Sequence, residues 1–408
     1  MSDAPWYRSA TLRQWRVLAA AMFGWMLDGM DVMLYAFALR RIQHEFGFTS
    51  AVAGGVASVT LLSSALGGIL FGYFADRFGR TRALSLAILV YSIFTAATAT
   101  SHSLMELIAW RFLVGLGLGG EWAAGAALVS EEWPAEHRGK AIGIVQSGWA
   151  IGYIAAALLA AAIMPTLGWR ALFLIGAAPA LLSAWIWRSL RDSQSSPAAG
   201  PPKTRISVKA MFVAPLLRTT VIATLLCSSL MFAYWGLFTW VPAYLASPRA
   251  NGGAGLSIVT STSWIVPMQI GAFLGYTCFG FFADRYGRRP TFVVFVLCAA
   301  VCVPLYGFFA YSSLMLLLTG PLLGFFGHGY FSVFGAILAE LFPSGIRATA
   351  QGLCYNAGRA ISALAPMTIG AIADRSGIGT ALASTSIFYV IGAMLIYLLP
   401  ETKGRTLE

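Results

Sequence analysis

The chain has 408 residues, of which 58% are hydrophobic and 11% charged, and its mean hydropathy is +0.74. A soluble domain carries about 25% charged residues, so the composition excludes a water-soluble globular protein, a coiled coil and a disordered chain. At about 20 residues per membrane-crossing helix, the length holds roughly twelve helices with short loops and leaves no room for a soluble catalytic domain.

The net charge of +11 does not point to nucleic acid, because the basic residues sit in loops between apolar runs. The five cysteines (Cys227, Cys278, Cys298, Cys302 and Cys354) all fall inside apolar runs and have no His or carboxylate beside them, so they read as packing residues. The sequence therefore predicts no enzyme, no cofactor and no metal site.

Taken in chain order, apolar runs lie near residues 17–39, 52–73, 83–101, 104–130, 140–163 and 169–188, then near 218–245, 257–281, 291–311, 314–340, 348–373 and 379–399. The first is too long for a signal peptide and reads as helix one. The segment from Arg191 to Lys209, RDSQSSPAAGPPKTRISVK, is basic and rich in Ser and Pro, which marks a linker. The predicted architecture is all-α with twelve transmembrane helices: an N-terminal six-helix bundle over residues 1–190, a cytoplasmic linker over 191–217 and a C-terminal bundle over 218–408. With an even number of spans both termini share a side. That side collects most of the loop Lys and Arg, which predicts cytoplasmic termini in a cell inner membrane.

The halves repeat in parallel. Residues 72–80 read GYFADRFGR and residues 280–288 read GFFADRYGR, and Glu131, Pro134, Arg138 and Gly143 recur as Glu340, Pro343, Arg347 and Gly352. Two duplicated bundles related by an axis along the membrane normal suit a secondary transporter. The loop motif G-x-x-x-D-R-x-G-R stands as Gly72, Asp76, Arg77, Gly79 and Arg80, and again as Gly280, Asp284, Arg285, Gly287 and Arg288. With the Glu131/Arg138 and Glu340/Arg347 pairs and the terminal Pro400-Glu401-Thr402-Lys403-Gly404, the chain resembles the major facilitator superfamily over its whole length.

Within that superfamily it is similar to the sialate and aromatic-acid proton symporters. The residues that carry this are Asp28-Gly29-Met30-Asp31, Gly115-x-Gly117-x-Gly119-Gly120-Glu121, Tyr355-Asn356-x-Gly358-Arg359 and the segment Tyr234 to Trp240. The helix-seven glutamines of hexose carriers are absent.

Asp28 and Asp31 lie inside an apolar helix, where each charge costs roughly 2.5–3.5 kcal/mol on insertion scales. A spacing of three puts them on one face. With Glu121 they form a candidate proton-coupling set, the alternative being structural acids capped by backbone or arginine. Arg111 lies at matching depth to Asp31, which makes an Asp31–Arg111 pair plausible. Arg359 has no evident acidic neighbour on its own helix and suits a carboxylate clamp, unless it bonds internally. Gln146, Tyr355, Asn356, Trp235, Arg111 and Arg359 are the candidate substrate-binding residues. His328 either titrates or packs neutral, and Gln269, an isolated amide, calls for a polar partner.

The loop motifs read as a latch. Asp76 and Asp284 sit at helix ends where arginines of the opposite bundle can pair, with Glu131, Arg138, Glu340, Arg347 and Glu401 completing the network. The expectation is a monomeric, proton-coupled carrier of a small organic anion (a monocarboxylate, sialate or aromatic acid), with a carrier of neutral polyols or sugars as the alternative.

Overall fold

A computed structural model describes residues 10–189, 211–214, 216–309, 312–343 and 346–402, and these contain helices and turns but no strand. The linker from Arg191 to Lys209 and the side chains of Asp76, Glu131 and Arg138 lie outside the described residues. The first half comprises α1 (Leu12–Phe46), α2 (Ser50–Phe78), α3 (Arg80–Thr98), α4 (Leu104–Glu132), α5 (Ala135–Ile175) and α6 (Pro179–Ser189). The second comprises α7 (Leu216–Phe238), α8 (Val241–Ala246), α9 (Ile258–Tyr286), α10 (Arg288–Phe309), α11 (Ser313–Gly329), α12 (Phe331–Glu340), α13 (Arg347–Ser362), α14 (Ala365–Ser376), α15 (Ile378–Ser384) and α16 (Ser386–Tyr397).

Gly168 breaks α5 with non-helical angles, so its last turns join α6 in a sixth span. In the second half α7–α8, α11–α12, α13–α14 and α15–α16 each follow one another with breaks of one or two residues. The described helices therefore form the six plus six predicted from the apolar runs.

Local chemistry sets the boundaries. The hydroxyls of Thr11, Thr49, Ser103, Ser257 and Ser312 each accept a hydrogen bond from the N–H three residues on, which satisfies a donor that the first helical turn leaves open. Tight helix-to-helix turns close on glycines at φ 99° (Gly79), 111° (Gly287) and 80° (Gly377), a region costly for any residue with a Cβ. The start of α1 and the ends of α2, α4 and α9 share one face of the molecule, the near face. The starts of α2 and α9 and the end of α14 share the distal face.

Inside each bundle the helices meet through glycine. In a bilayer there is no hydrophobic drive between apolar helices, so close backbone approach carries the packing. A Cβ on Gly115 would fall 1.9 Å from Ser63 Oγ, one on Gly119 would fall 1.8 Å from Ser64 O, and one on Gly67 would fall 2.0 Å from Leu116 O, which locks α2 to α4. Gly117 presses on Tyr91 of α3 in the same way. In the second bundle Gly271 and Gly275 of α9, with Gly324 of α11, repeat the arrangement.

The bundles touch mainly where α14 lies on α2 and α9 lies on α5. Tyr153 of α5 donates to Phe238 O at 3.1 Å, and Thr262 of α9 donates to Ala157 O at 3.0 Å.

Because Gly119 meets backbone rather than a movable side chain, Gly119→Val should force α2 and α4 apart. Overpacking of this kind costs about 1–3 kcal/mol. The expected result is a lower melting temperature of the detergent-solubilised protein, and an unchanged melting curve would contradict this packing.

Candidate substrate and proton site

The glycine-packed stretch of α4 ends on Glu121, which is delivered to the centre of the molecule. Gly24 of α1 makes room for it, since a Cβ there would fall 2.3 Å from Glu121 Oε1. One turn further along α1 stands Asp28, 2% exposed, and its carboxyl lies within hydrogen-bonding reach of Glu121, itself 1% exposed. Asp28 Oδ1 and Glu121 Oε2 have no partner among the described residues. A hydrogen bond between two carboxyls needs a proton on one of them, so this geometry can hold a proton.

Asp31 has a different environment. It accepts from Thr95 Oγ1 of α3, and Arg111 Nη1 lies 3.5 Å from Asp31 Oδ2 with both side chains at most 1% exposed. The Arg111 guanidinium also lies 5.3 Å from the Tyr35 ring centroid and 5.9 Å from that of Phe173. The expected Asp31–Arg111 pair is present. Thr95, to which no sequence pattern points, adds a hydrogen bond to Asp31.

Asp28 and Asp31 share a helix face but not a function: Asp28 points to Glu121 and Asp31 to Arg111. Arg111 adjoins a cavity of ≈ 20 Å³ lined also by Tyr35, Thr60 and Trp235, about the space of one water. Arg111 is thus held by Asp31 of its own bundle and borders that cavity, which Trp235 and Thr239 of the other bundle also line.

Arg359 of α13 comes from the other bundle. It is 7% exposed, and its electrostatic neighbours are Tyr355, one turn before it, then Asp28 and Glu121. It makes no ion pair within 4.0 Å among the described residues. Asn356 Nδ2 donates to Gly352 O at 3.0 Å, and Asn356 Oδ1 faces Gly68 of α2. Gln146 Nε2 reaches Phe331 O across the boundary at 3.5 Å. Trp235 packs edge-on against Trp149, which in turn tilts against Trp25. The expected substrate residues therefore collect along the boundary, with Arg111 withdrawn into its own bundle.

On the far side of the boundary, His328 Nδ1 lies 3.1 Å from Gly324 O while its Nε2 has no partner among the described residues. Its ring lies 5.1 Å from Tyr234 and 5.9 Å from Tyr276. Gln269, two helical turns before Tyr276 on the same face, is fully buried, and neither side-chain atom has a partner among the described residues.

Of the residues expected to form a cross-bundle latch, the side chains of Asp76, Glu131 and Arg138 lie outside the described residues, and the described ones make these contacts. Asp284 accepts from Arg288 Nη1 at 2.6 Å, one turn on in its own loop. Glu340 lies 3.6 Å from Arg288 Nη2 and accepts from Thr402 Oγ1 at 2.5 Å. Glu401 accepts from the N–H groups of Arg288 and Arg289, both at 3.0 Å, and so caps α10. Arg347 Nε donates to Phe342 O at 3.3 Å. All these contacts lie within the second bundle, because the end of α9 and the start of α10 bring one carboxylate and two arginines together and a helix N-terminus attracts Glu401. In the first bundle Arg77 Nη1 lies 3.3 Å from Tyr73 Oη, and Arg13 pairs with Glu132.

A model of the Major Facilitator Superfamily matches residues 21–275, and a second, described as Sugar (and other) transporter, matches residues 273–408. The chain is 34% identical to a protein of Cupriavidus pinatubonensis named "Probable 4-methylmuconolactone transporter", over 99% of this chain and 94% of that one. It is 30% identical to the sialic acid transporter NanX of Escherichia coli, over 96% and 95% of the two chains. A bacterial homologue of the human lysosomal transporter Spinster, solved facing inward and unoccupied, shares the fold at a TM-score of 0.75 and 19% identity, over 96% of this chain and 97% of that chain. Duplicated bundles, doubled loop motifs and a charged centre at the bundle boundary agree with these matches: the chain is a membrane transporter and belongs to the Major Facilitator Superfamily.

Proposed function

We propose that the chain takes up a small organic anion together with a proton, working in a cell inner membrane with both termini in the cytoplasm. One observation carries this reading: Arg359 is buried and without an ion pair among the described residues, facing the Asp28–Glu121 carboxyls across the bundle boundary. A planar guanidinium binds a carboxylate through two parallel hydrogen bonds, so an acid substrate completes the site. The relatives named for a muconolactone and for sialic acid support an acid.

A membrane potential negative inside opposes entry of an anion by about 2.3 kcal/mol per charge per 100 mV. A proton carried on Asp28–Glu121 removes that penalty. An anion seated on Arg359 stands close to the two carboxyls and favours the proton there, and the proton favours the anion in return, since such coupling is reciprocal. Alternating access then follows from rocking of one bundle against the other. In this reading Asp31 anchors Arg111, and the proton belongs to Asp28 and Glu121.

Asp28→Asn and Glu121→Gln should each abolish accumulation driven by a pH gradient in proteoliposomes while sparing substrate exchange, which need not release the proton. Full accumulation in both variants would exclude the pair from coupling. Asp31→Asn should behave differently. It leaves Arg111 buried without its partner, a loss of about 3–5 kcal/mol, and shows first as a lower yield of folded protein.

A second reading, a carrier of neutral polyols or sugars, is favoured by Gln269, whose amide is unpartnered at both ends among the described residues. Arg359→Gln separates the two. A charge-assisted hydrogen bond contributes about 1.5–3 kcal/mol, so the affinity for an acid should fall about ten- to a hundredfold. Arg359→Lys should recover part of it, and the amide of the same acid should bind wild type and variant alike. Equal losses for acid and amide would make Arg359 structural and put the hydroxylated substrate first.

A further inference from the structure

The loop motif has a third copy. Residues 370–377 read Gly-Ala-Ile-Ala-Asp-Arg-Ser-Gly, the same G-x-x-A-D-R-x-G as residues 72–79 and 280–287. The backbone agrees: the closing glycines have φ/ψ of 99°/147° at Gly79, 111°/155° at Gly287 and 80°/154° at Gly377. The first two copies sit at the near face. The third lies at the distal face, between α14 and α15, and has Ile378 where the others have an arginine.

The three copies differ in what they touch. A Cβ on Gly72 or Gly280 would meet nothing within 4 Å among the described residues. On Gly370 it would fall 2.3 Å from Ser50 O and 2.8 Å from the Trp240 ring. One turn on, Asp374 Oδ1 accepts from the N–H of Ser50 and Oδ2 from the N–H of Ala51, both at 2.9 Å. These are the first two N–H groups of α2, which have no partner inside their own helix. Asp374 thus caps, with both oxygens, a helix of the opposite bundle.

The seam continues inward. Met367 N–H donates to Ser58 Oγ at 3.2 Å, and a Cβ on Gly54 would fall 2.2 Å from Pro366 O. At the near-face end of α2 stands the Asp76 copy, so one helix carries a motif aspartate at one end and receives one at the other.

We propose that Asp374 is the latch of the distal face: its two bonds to the start of α2 hold that face shut and must break each time α2 and α14 separate there. This reading is independent of the substrate. Asp374 is a positioning residue, contacting the opposite bundle rather than Arg359 or the Asp28–Glu121 pair.

The test uses the full chain in the membrane with Ala57→Cys as reporter, because Ala57 lies on α2 beneath the seam and lines the small cavity there. A membrane-impermeant maleimide is applied from the distal face, and the chain without the reporter gives the background. Asp374→Asn keeps the shape but cannot accept two charge-assisted bonds, and should speed labelling about tenfold or more. Ser50→Pro is the second variant. It removes one of the two donors at a first helical position, where proline is tolerated, after a Thr49 already extended at φ −72°, ψ 163°, as the proline requires. It should speed labelling in the same direction. Unchanged labelling in either variant that reaches the membrane overturns the proposal. So does a parallel rise at the buried Cys227 and Cys354, which would mean general loosening.

Discussion

A charge in the hydrocarbon of a bilayer has no water to turn to, and every ionisable side chain at the centre of this molecule is placed by that constraint. Arg111 and Asp31 meet it by pairing, with Thr95 and the rings of Tyr35 and Phe173 beside them. Asp28 and Glu121 face each other, an arrangement that is stable when a proton stands between them. Arg359 has no ion pair of its own among the described residues and looks across the boundary at that acidic pair. The first arrangement pairs its two charges and leaves Arg111 Nε without a hydrogen-bond partner among the described residues. In the proposed reading the other two are completed by a proton and an incoming anion.

The same lack of water makes glycine the packing residue. Helices that cannot gain from expelling water gain from backbone approach, so α2 meets α4 at Gly67, Gly115 and Gly119. Between the bundles the device recurs at Gly54 and Gly370. There the contact joins two bodies that a transporter must separate. Ordered polar contacts, Asp374 on the start of α2 and Ser58 on Met367, lie along that seam, while the motif glycines of the near face meet nothing within 4 Å among the described residues.

Much of this was legible in the residues alone. Apolar length gave twelve spans, because a bilayer fixes how long an apolar helix must be. Parallel repetition gave the two bundles. The depth of Asp31 and Arg111 along straight helices gave their pairing, since 1.5 Å of rise per residue converts sequence position into depth. Depth also put Glu121 near Asp28.

Azimuth is what the sequence left open. Two aspartates three residues apart share a face, yet 60° of rotation is enough to send one to Glu121 on α4 and the other to Arg111 and Thr95. That choice depends on where α3 and α4 stand around α1. The loop carboxylates likewise found partners in their own bundle, because the near neighbours of Asp284 and Glu340 are set by how α9, α10 and the C-terminal segment converge. Sequence determined how deep each charge lies and how many helices carry it. Tertiary structure alone decided which way each charge faces, because the partner of a buried group stands on another helix whose position no local pattern encodes.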